Sequence, residues 1–70
     1  MNETSQSLNA TQRMIKYFDY KHLPEKLQSV SKACCELAYK MADELPESAE
    51  KTAGLRKLLE AKDCFVRTLL

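Results

Sequence analysis

Seventy residues, 44% of them hydrophobic, suffice for one small domain, and a domain of this size buries only about 60% of the surface that its unfolded chain exposes. Eleven Lys and Arg residues against ten Asp and Glu give a net charge of +1. This balance argues against a general nucleic-acid binder, which carries a basic excess to neutralise many phosphates, but it is compatible with a ligand that has few negative charges.

The cysteines and the histidine do not indicate a disulfide framework or a metal site. The three cysteines are odd in number, and Cys34 and Cys35 are adjacent. His22 has no Cys or His at ligand spacing, so we expect no metal and no cofactor. The sequence shows neither a signal peptide nor an apolar run of about 20 residues that could span a bilayer. We therefore expect a cytosolic protein with reduced thiols, which enlarges its small core by oligomerisation.

The first part of the chain predicts a tail and a short helix. Residues 1–8 are polar and are expected to form a disordered tail, with residues 9–70 forming a single domain. Residues 9–18 predict a short helix that Asn9 caps. Its apolar side comprises Met14, Ile15 and Phe18.

A first long helix is predicted to start at Pro24, because proline suits the first helical position. Glu25 then places a negative charge in the first turn, where the helix dipole favours it. The helix should end near Leu45, because the residue before Pro46 is disfavoured in helical conformation. Apolar residues recur at spacings of three and four and predict its buried stripe: Leu27, Val30, Cys34, Leu37 and Met41.

A second long helix is predicted to start at Pro46 or, with a side-chain cap, at Ser48. Its apolar side comprises Leu55, Leu58, Leu59, Phe65, Val66 and Leu69. Because the connection is short, the two helices should run antiparallel. Further small or apolar residues lie off the two stripes and need a second partner surface, which another copy of the chain could supply: Cys35, Tyr39, Ala42, Ala53 and Ala61. The predicted fold is all-α, an antiparallel helical hairpin with a short N-terminal helix, assembled as a homo-oligomer.

The segment KYFDYKHLP, residues 16–24, contains three of the chain's five aromatic residues together with two lysines and the histidine. We call this segment the joint. Tyr17 and Phe18 could simply fold the short helix onto the hairpin. Tyr20 differs, because it precedes Lys21 on a turn that should hold its ring loosely. Such a ring could stack on a planar ligand, an interaction worth about 1–3 kcal/mol per base.

Lys32 and Arg56 are the candidate cations on the long helices. Lys32 could contact a phosphate, or it could be a solvated lysine paired with Glu36 one turn later. Arg56 could likewise bind an anion, or it could pair with Glu60.

Gly54 lies inside the second helix, where glycine costs about 1 kcal/mol relative to alanine. With Ala53 it should leave a shallow notch on the helix surface. The notch would admit either another helix or a ligand beside the Arg56 guanidinium.

Nothing in the sequence indicates catalysis. No serine or cysteine stands at a recognisable spacing from the histidine and a carboxylate, and no glycine-rich phosphate loop is present. The Cys34–Cys35 pair is interpreted as core sulfur, with Cys34 on the buried stripe and Cys35 beside it. We do not expect an enzyme.

Residues 17–67 resemble the small phage-encoded helical-hairpin proteins that sequester cyclic oligonucleotides. The resemblance lies in YKHLPE before the first long helix, SKACCELA within it and TAGLRKLLEAKDCFVR in the second. These are the anti-CBASS proteins, which are related to the hairpin part of a phage anti-Thoeris family. The resemblance implies a homohexamer in the cytoplasm of the infected bacterium, which captures the cyclic nucleotides of CBASS defence without cleaving them.

The resemblance also implies roles for individual residues. Tyr20 would stack on the bases of cyclic dinucleotides such as cyclic GMP–AMP, and Lys32 would meet their phosphates, with Lys21 beside them. A separate site for cyclic trinucleotides would use Arg56, with Arg67 as the weaker match. The turn backbone before the tyrosine takes part in the family, and here that position is Asp19 where a smaller residue is expected, so cyclic trinucleotide binding stays open.

Three other function classes compete with this one. A protein-interaction module could use the aromatic joint and the notch to dock a host helix with no small-molecule ligand. A DNA-binding helical protein is disfavoured by the charge balance, and an enzyme is the least supported. No membrane partner is expected.

Overall fold

The computed structural model describes residues 9–70 and is all-helical over that range. A short helix, α1 (Ala10–Ile15), continues into a 3-10 segment (Lys16–Phe18), and two long helices follow, α2 (Glu25–Glu44) and α3 (Ala49–Arg67). The long helices pack along each other as a hairpin, and α1 packs against both. The predicted all-α fold is thus confirmed. Residues 1–8, predicted to be a tail, lie outside the described residues.

None of the helices formed by residues 9–70 combines the length and the apolar character that a membrane crossing requires.

Asn9 caps α1 as the sequence predicts. Its side-chain oxygen accepts a hydrogen bond from the Gln12 backbone N–H at 2.7 Å, and the Gln12 side chain accepts one from the Asn9 N–H at 2.9 Å. This reciprocal capping box satisfies two N–H groups that lack partners within the helix. A helix of this length is still unstable in isolation, so α1 depends on its packing against the hairpin.

The two prolines lie just outside the long helices. Pro24 has a ψ of 148° and is the N-cap of α2, so the prediction that the helix starts at Pro24 is wrong by one residue. The predicted end is confirmed, because Leu45 is extended before Pro46 (φ −101°, ψ 145°). Of the two predicted starts for α3, the one at Ser48 is correct: the Ser48 hydroxyl accepts a hydrogen bond from the Lys51 N–H at 3.0 Å.

The buried face of α2 is rotated relative to the predicted stripe. Leu27 is buried as expected, but Ser31, Cys35 and Ala38 complete that face. Leu37, predicted to be buried, is 44% exposed. The Cys34–Cys35 assignment is therefore reversed, since Cys35 is buried and Cys34 is only half-buried.

The rotation has a steric cause. The ring of Phe18 is completely buried and forms one cluster with Cys35, Ala38 and Leu55. Small side chains on α2 leave the volume that this large ring fills, in line with the close packing of protein cores. The predicted stripe of α2 consisted of its largest apolar residues. The face that is buried is instead the one whose small side chains fit around the Phe18 ring.

The chain itself thus supplies part of the surface that a second copy was expected to pack against the hairpin. Cys35 was expected to face another subunit, but it is buried within this chain. Tyr39 is 55% exposed, while Ala42, Ala53 and Ala61 are half-buried. The predicted role of Cys35 at a second interface is therefore wrong, because Phe18 and α1 already cover that side of the hairpin.

Lys51 holds the turn between the long helices. Its ammonium donates to the carbonyls of Ala42 and Leu45, both at 2.9 Å. These carbonyls belong to the end of α2, where backbone acceptors lack helical partners. The Lys51 side chain is only 7% exposed and lies 3.3 Å from a Glu47 carboxylate oxygen. One lysine therefore satisfies the end of one helix from the first turn of the next.

Glu47 extends this contact to α1. Its carboxylate accepts a hydrogen bond from the Thr11 hydroxyl at 2.7 Å and from the Thr11 backbone N–H at 3.4 Å. Thr11 is itself buried. The Thr11–Glu47–Lys51 network thus ties the start of α1 to the hairpin turn.

Replacing Lys51 by Met should lower the free energy of unfolding by about 2 kcal/mol, because two helix-end carbonyls and the Glu47 carboxylate lose their partner. Urea denaturation followed by circular dichroism would measure the change. The control is Lys57→Met on the exposed side of α3, which should stay within about 0.5 kcal/mol of the wild type. Equal losses in the two variants would contradict the role assigned to Lys51.

Acid should weaken the Thr11–Glu47–Lys51 network. The hydrogen bond from the Thr11 hydroxyl and the contact with Lys51 lower the pKa of Glu47 below its ordinary value of 4.5. Because the folded-state pKa is below the unfolded one, the contribution to stability is complete above pH 4.5 and is lost as the pH falls through the folded-state pKa. Unfolding midpoints measured between about pH 6 and about pH 3 should fall less steeply in Glu47→Gln than in the wild type.

The matched control for this pH series is Glu44→Gln. The Glu44 carboxylate pairs with Lys40 at 2.6 Å on the exposed side of α2, away from Thr11. This variant should keep the wild-type slope, and an unchanged slope in Glu47→Gln would contradict the assignment.

Candidate functional site

The joint is an ordered turn in the structure. Asp19 accepts a hydrogen bond from the Lys21 backbone N–H at 3.3 Å, and its other carboxylate oxygen lies 3.9 Å from the His22 ring nitrogen. The Leu23 N–H donates to the Tyr20 carbonyl at 3.0 Å. An aspartate that bonds the backbone two residues later stabilises a local turn, so Asp19 shapes the path of the chain through the joint.

Gln28 attaches the joint to α2. Its side-chain amide donates to the Leu23 carbonyl at 2.7 Å and lies 3.5 Å from the Lys21 carbonyl. Tyr20 is half-buried and packs against the core cluster. The expectation that Tyr20 is loosely held is therefore wrong, because the turn and the core both support it.

A cavity of about 470 Å³ opens between the joint and α2, lined by Lys16, Asp19, Tyr20, Lys21, Cys35 and Tyr39. We call it the joint cavity. It brings together three of the predicted site residues: Asp19, Tyr20 and Lys21. Two tyrosines, two lysines and one aspartate thus line one concave surface.

Sequence reasoning did not place Lys16, Cys35 or Tyr39 in this cavity. Lys16 was counted within the joint without a role, and Tyr39 was assigned to an interface between subunits. A periodic signal could have found Tyr39, because it is one turn after Cys35 on the same side of α2. Lys16 gave no such signal, since its position depends on how α1 packs.

Lys32 and Arg56 do not line the joint cavity. Both side chains are exposed. The ion pairs considered from the sequence, Lys32 with Glu36 and Arg56 with Glu60, are absent among the ion pairs of residues 9–70. Within one chain, therefore, the predicted lysine and arginine are separate from the predicted tyrosine.

Arg56 and Gly54 lie on different sides of α3. Arg56 lines a cleft between α1 and α3 that also includes Arg13 and Tyr17. Gly54 instead faces an apolar groove of about 290 Å³ that includes Leu37. The predicted ligand space beside the Arg56 guanidinium is therefore not at Gly54, because residues two apart on a helix point in nearly opposite directions.

No described residue of the chain fills the notch at Gly54. A Cβ atom added there would meet no atom within 4 Å. The groove around it is lined by apolar side chains of α2, Leu45 and α3 together with two charged residues: Leu37, Met41, Leu45, Glu50, Lys51, Leu55 and Leu58.

The joint cavity carries cationic and aromatic groups but no reactive thiol. Burial raises the pKa of the Cys35 thiol, with further increases from the Asp19 and Glu36 carboxylates and a smaller opposing effect from Lys21. The thiol is therefore protonated near neutral pH and is a weak nucleophile. Within residues 9–70, no group of three or more His, Cys, Asp or Glu could hold a metal ion. The arrangement is suited to binding an aromatic anion.

Comparison of the chain with protein-family models, curated proteins and solved structures finds no match. The resemblance to the phage proteins that sequester cyclic oligonucleotides therefore stays a prediction based on the motifs in the sequence.

Proposed function

We propose that this chain binds cyclic dinucleotides such as cyclic GMP–AMP and sequesters them intact. In this proposal it is a phage protein that acts in the cytoplasm of an infected bacterium and withholds the signal from CBASS defence. The observation that carries the proposal is the joint cavity, whose lining combines Tyr20 and Tyr39 with Lys16 and Lys21.

The chemistry of the cavity fits the parts of such a ligand. A cyclic dinucleotide has two bases and two phosphodiesters, each with one negative charge. Stacking on a tyrosine is worth about 1–3 kcal/mol per base, and contacts between ammonium groups and phosphate oxygens are stronger than neutral hydrogen bonds. A protein with a net charge of +1 can hold this dianion because the lysines that would contact it line the cavity.

Assembly of several copies would complete the site. Two-fold contacts between subunits repeat each residue symmetrically, so that a Tyr20 ring and a Lys32 ammonium from different copies could surround a ligand that is itself nearly two-fold. Exposed apolar side chains are available for such contacts, notably Leu37, Leu45 and Phe65. We propose a homohexamer, in line with the resemblance.

The proposal separates dinucleotide and trinucleotide binding in space. Arg56, the residue matched to a trinucleotide site, lines the cleft on the other side of Lys16 from Tyr20. Asp19, at the turn position that the resemblance links to trinucleotide binding, lines the joint cavity and not the cleft that holds Arg56, so the two residues matched to that site are apart within one chain. Cyclic dinucleotides are therefore the primary proposed ligands, and trinucleotides a second class.

A protein-interaction module is the second candidate function. The apolar groove beside Gly54 favours it, since its open notch and the half-exposed Leu37 and Leu45 side chains could take the apolar face of a host helix. In that case the joint would serve packing alone and would bind no nucleotide.

Titration calorimetry with cyclic GMP–AMP tests the proposed binding of cyclic dinucleotides. We expect saturable binding that Tyr20→Ala weakens about tenfold or more, because one base loses its stacking partner. Lys32→Ala should also weaken binding if the ligand is shared between copies. The control is Lys57→Ala, whose exposed side chain on α3 does not line the joint cavity and whose loss should leave this binding unchanged. A flat titration across a panel of cyclic di- and trinucleotides would favour the interaction module instead.

Heating the saturated complex should release intact nucleotide, because no group in the cavity is arranged to cleave it. Chromatography of the released material would distinguish the outcomes. A linear or cleaved product would show that the chain is an enzyme.

Sedimentation at micromolar concentration tests the assembly. We expect a species of hexamer mass, and we expect Leu37→Gln in the apolar groove to shift it towards smaller species while circular dichroism stays unchanged. A stable wild-type monomer would contradict a site shared between subunits.

A further inference from the structure

Asp19 is the acidic residue of the joint cavity, and among residues 9–70 no other carboxylate lines it. The other charged residues of the lining are Lys16 and Lys21. A carboxylate repels the phosphates of an anionic ligand, so it lowers the affinity unless it makes a contact of its own. A favourable contribution from Asp19 must therefore come from another part of the ligand.

The turn does not require a charge at this position. The Lys21 N–H donates to an Asp19 carboxylate oxygen at 3.3 Å, and the side-chain oxygen of an asparagine would accept the same bond. The contact with His22 spans 3.9 Å between side chains that are 67% (His22) and 62% (Asp19) exposed. That distance is longer than a hydrogen bond, and an exposed pair of this kind contributes little. Neither local contact explains why the side chain is a carboxylate.

The Asp19 carboxylate keeps acceptor capacity for a ligand. Its two oxygens offer about four acceptor sites, and the described residues occupy one of them at hydrogen-bond distance. Among the ion pairs of residues 9–70, its partner is the histidine and neither lysine of the cavity. Both oxygens can therefore accept hydrogen bonds from a ligand side by side.

The electrostatic environment of Cys35 places this carboxylate close to the inner wall of the cavity. Cys35 is buried and lines the joint cavity. Burial raises the pKa of its thiol, and the Asp19 carboxylate raises the pKa further. Because charges separated by solvent are screened over about 8–10 Å, the carboxylate lies near the thiol as well as near the turn.

Guanine is the base whose edge matches two adjacent acceptors. Its Watson–Crick edge presents neighbouring N–H donors on the ring and on the exocyclic amino group, whereas adenine presents a ring acceptor beside its amino group. A carboxylate only accepts hydrogen bonds, so it can take both guanine donors but repels the ring nitrogen of adenine. Unpaired bases that stack on aromatic side chains are commonly recognised on this edge.

We propose that Asp19 makes guanine the preferred base of the joint cavity, by accepting both donors of its Watson–Crick edge while the base stacks on Tyr20. This inference rests on the proposed binding of cyclic dinucleotides and names the base that the site selects. Because Asp19 directly precedes Tyr20, each copy that contributes the ring also contributes the carboxylate. In a two-fold site, a ligand with two guanines engages both carboxylates, and a ligand with one guanine engages one.

Calorimetric titration of the full chain with three cyclic dinucleotides tests the selection. Cyclic di-GMP should bind most tightly, cyclic GMP–AMP about tenfold more weakly and cyclic di-AMP about tenfold more weakly again, because one bidentate contact to a base contributes roughly such a factor. All three ligands have the same phosphodiesters, so the series varies the bases alone. Equal affinities, or tighter binding of cyclic di-AMP, would overturn the selection of guanine.

Asp19→Asn is the most informative variant, because it preserves the turn and removes the pair of acceptors. An amide offers one acceptor and one donor group, an arrangement that suits adenine. The ratio of the affinities for cyclic di-GMP and cyclic di-AMP should therefore fall about tenfold or more. Circular dichroism and sedimentation should show an unchanged fold and assembly. An unchanged ratio would restrict Asp19 to its role in the turn.

Glu36→Gln is the matched control. In addition to burial and Asp19, the Glu36 carboxylate raises the pKa of the Cys35 thiol, but Glu36 does not line the joint cavity. Removal of either carboxylate reduces the repulsion of a dianion, so both variants should bind all three ligands more tightly through this effect. Only Asp19→Asn should change the ratio between the ligands. An equal change of the ratio in both variants would mean that charge alone sets the preference.

Failure of this inference is distinguishable from failure of the proposed function. Equal binding of the three ligands would remove the base preference and leave the sequestration of cyclic dinucleotides intact. Absence of binding for all three would overturn both. Tyr20→Ala should weaken all three ligands and change their ratio less than Asp19→Asn does, because stacking on an aromatic ring tolerates any base.

Discussion

The burial of Phe18 is the contact on which the arrangement of both cavities depends. Its ring is completely enclosed by the cluster that includes Cys35, Ala38 and Leu55, and burial of such a side chain contributes about 1.5–3 kcal/mol. Because the ring is anchored in a 3-10 segment, its neighbours are oriented at the same time. Tyr17 lines the cleft against α3 and Tyr20 lines the cavity against α2. One apolar anchor thus sets the positions of two aromatic surfaces.

The Thr11–Glu47–Lys51 network attaches the other end of the N-terminal segment. Its hydrogen bonds join α1 to the turn of the hairpin, while Phe18 joins the following residues to the hairpin core. Lys51 also satisfies carbonyls at the end of α2, so the same polar contacts close the hairpin and hold α1 on it. Two attachment points of different chemistry explain how a helix too short to be stable alone can position Arg13 and Lys16.

Local signals in the sequence predict the helices well. Asn9 acts as the predicted cap, Ser48 is one of the two predicted starts of α3, and Pro46 ends α2, because these effects depend on residues close together in the sequence. The rotation of the buried face was missed because Ser31, Cys35 and Ala38 are small and carry little hydrophobic signal. The grouping of Lys16 with Tyr39 depends on the docking of α1, which no local pattern encodes. The separation of Gly54 from Arg56, by contrast, follows from helical periodicity and was open to prediction.

Ser31 shows what selects the residues on the buried face of α2. It is almost completely enclosed, and its hydroxyl has no hydrogen-bond partner among the described residues. A buried hydroxyl without a partner costs free energy, so its polarity gives nothing to the fold, whereas its small volume leaves space for the neighbouring core. The requirement at this position is steric. Substitution there is consequently limited by side-chain size far more than by hydropathy, and variation among serine, alanine and cysteine would be compatible with the same packing.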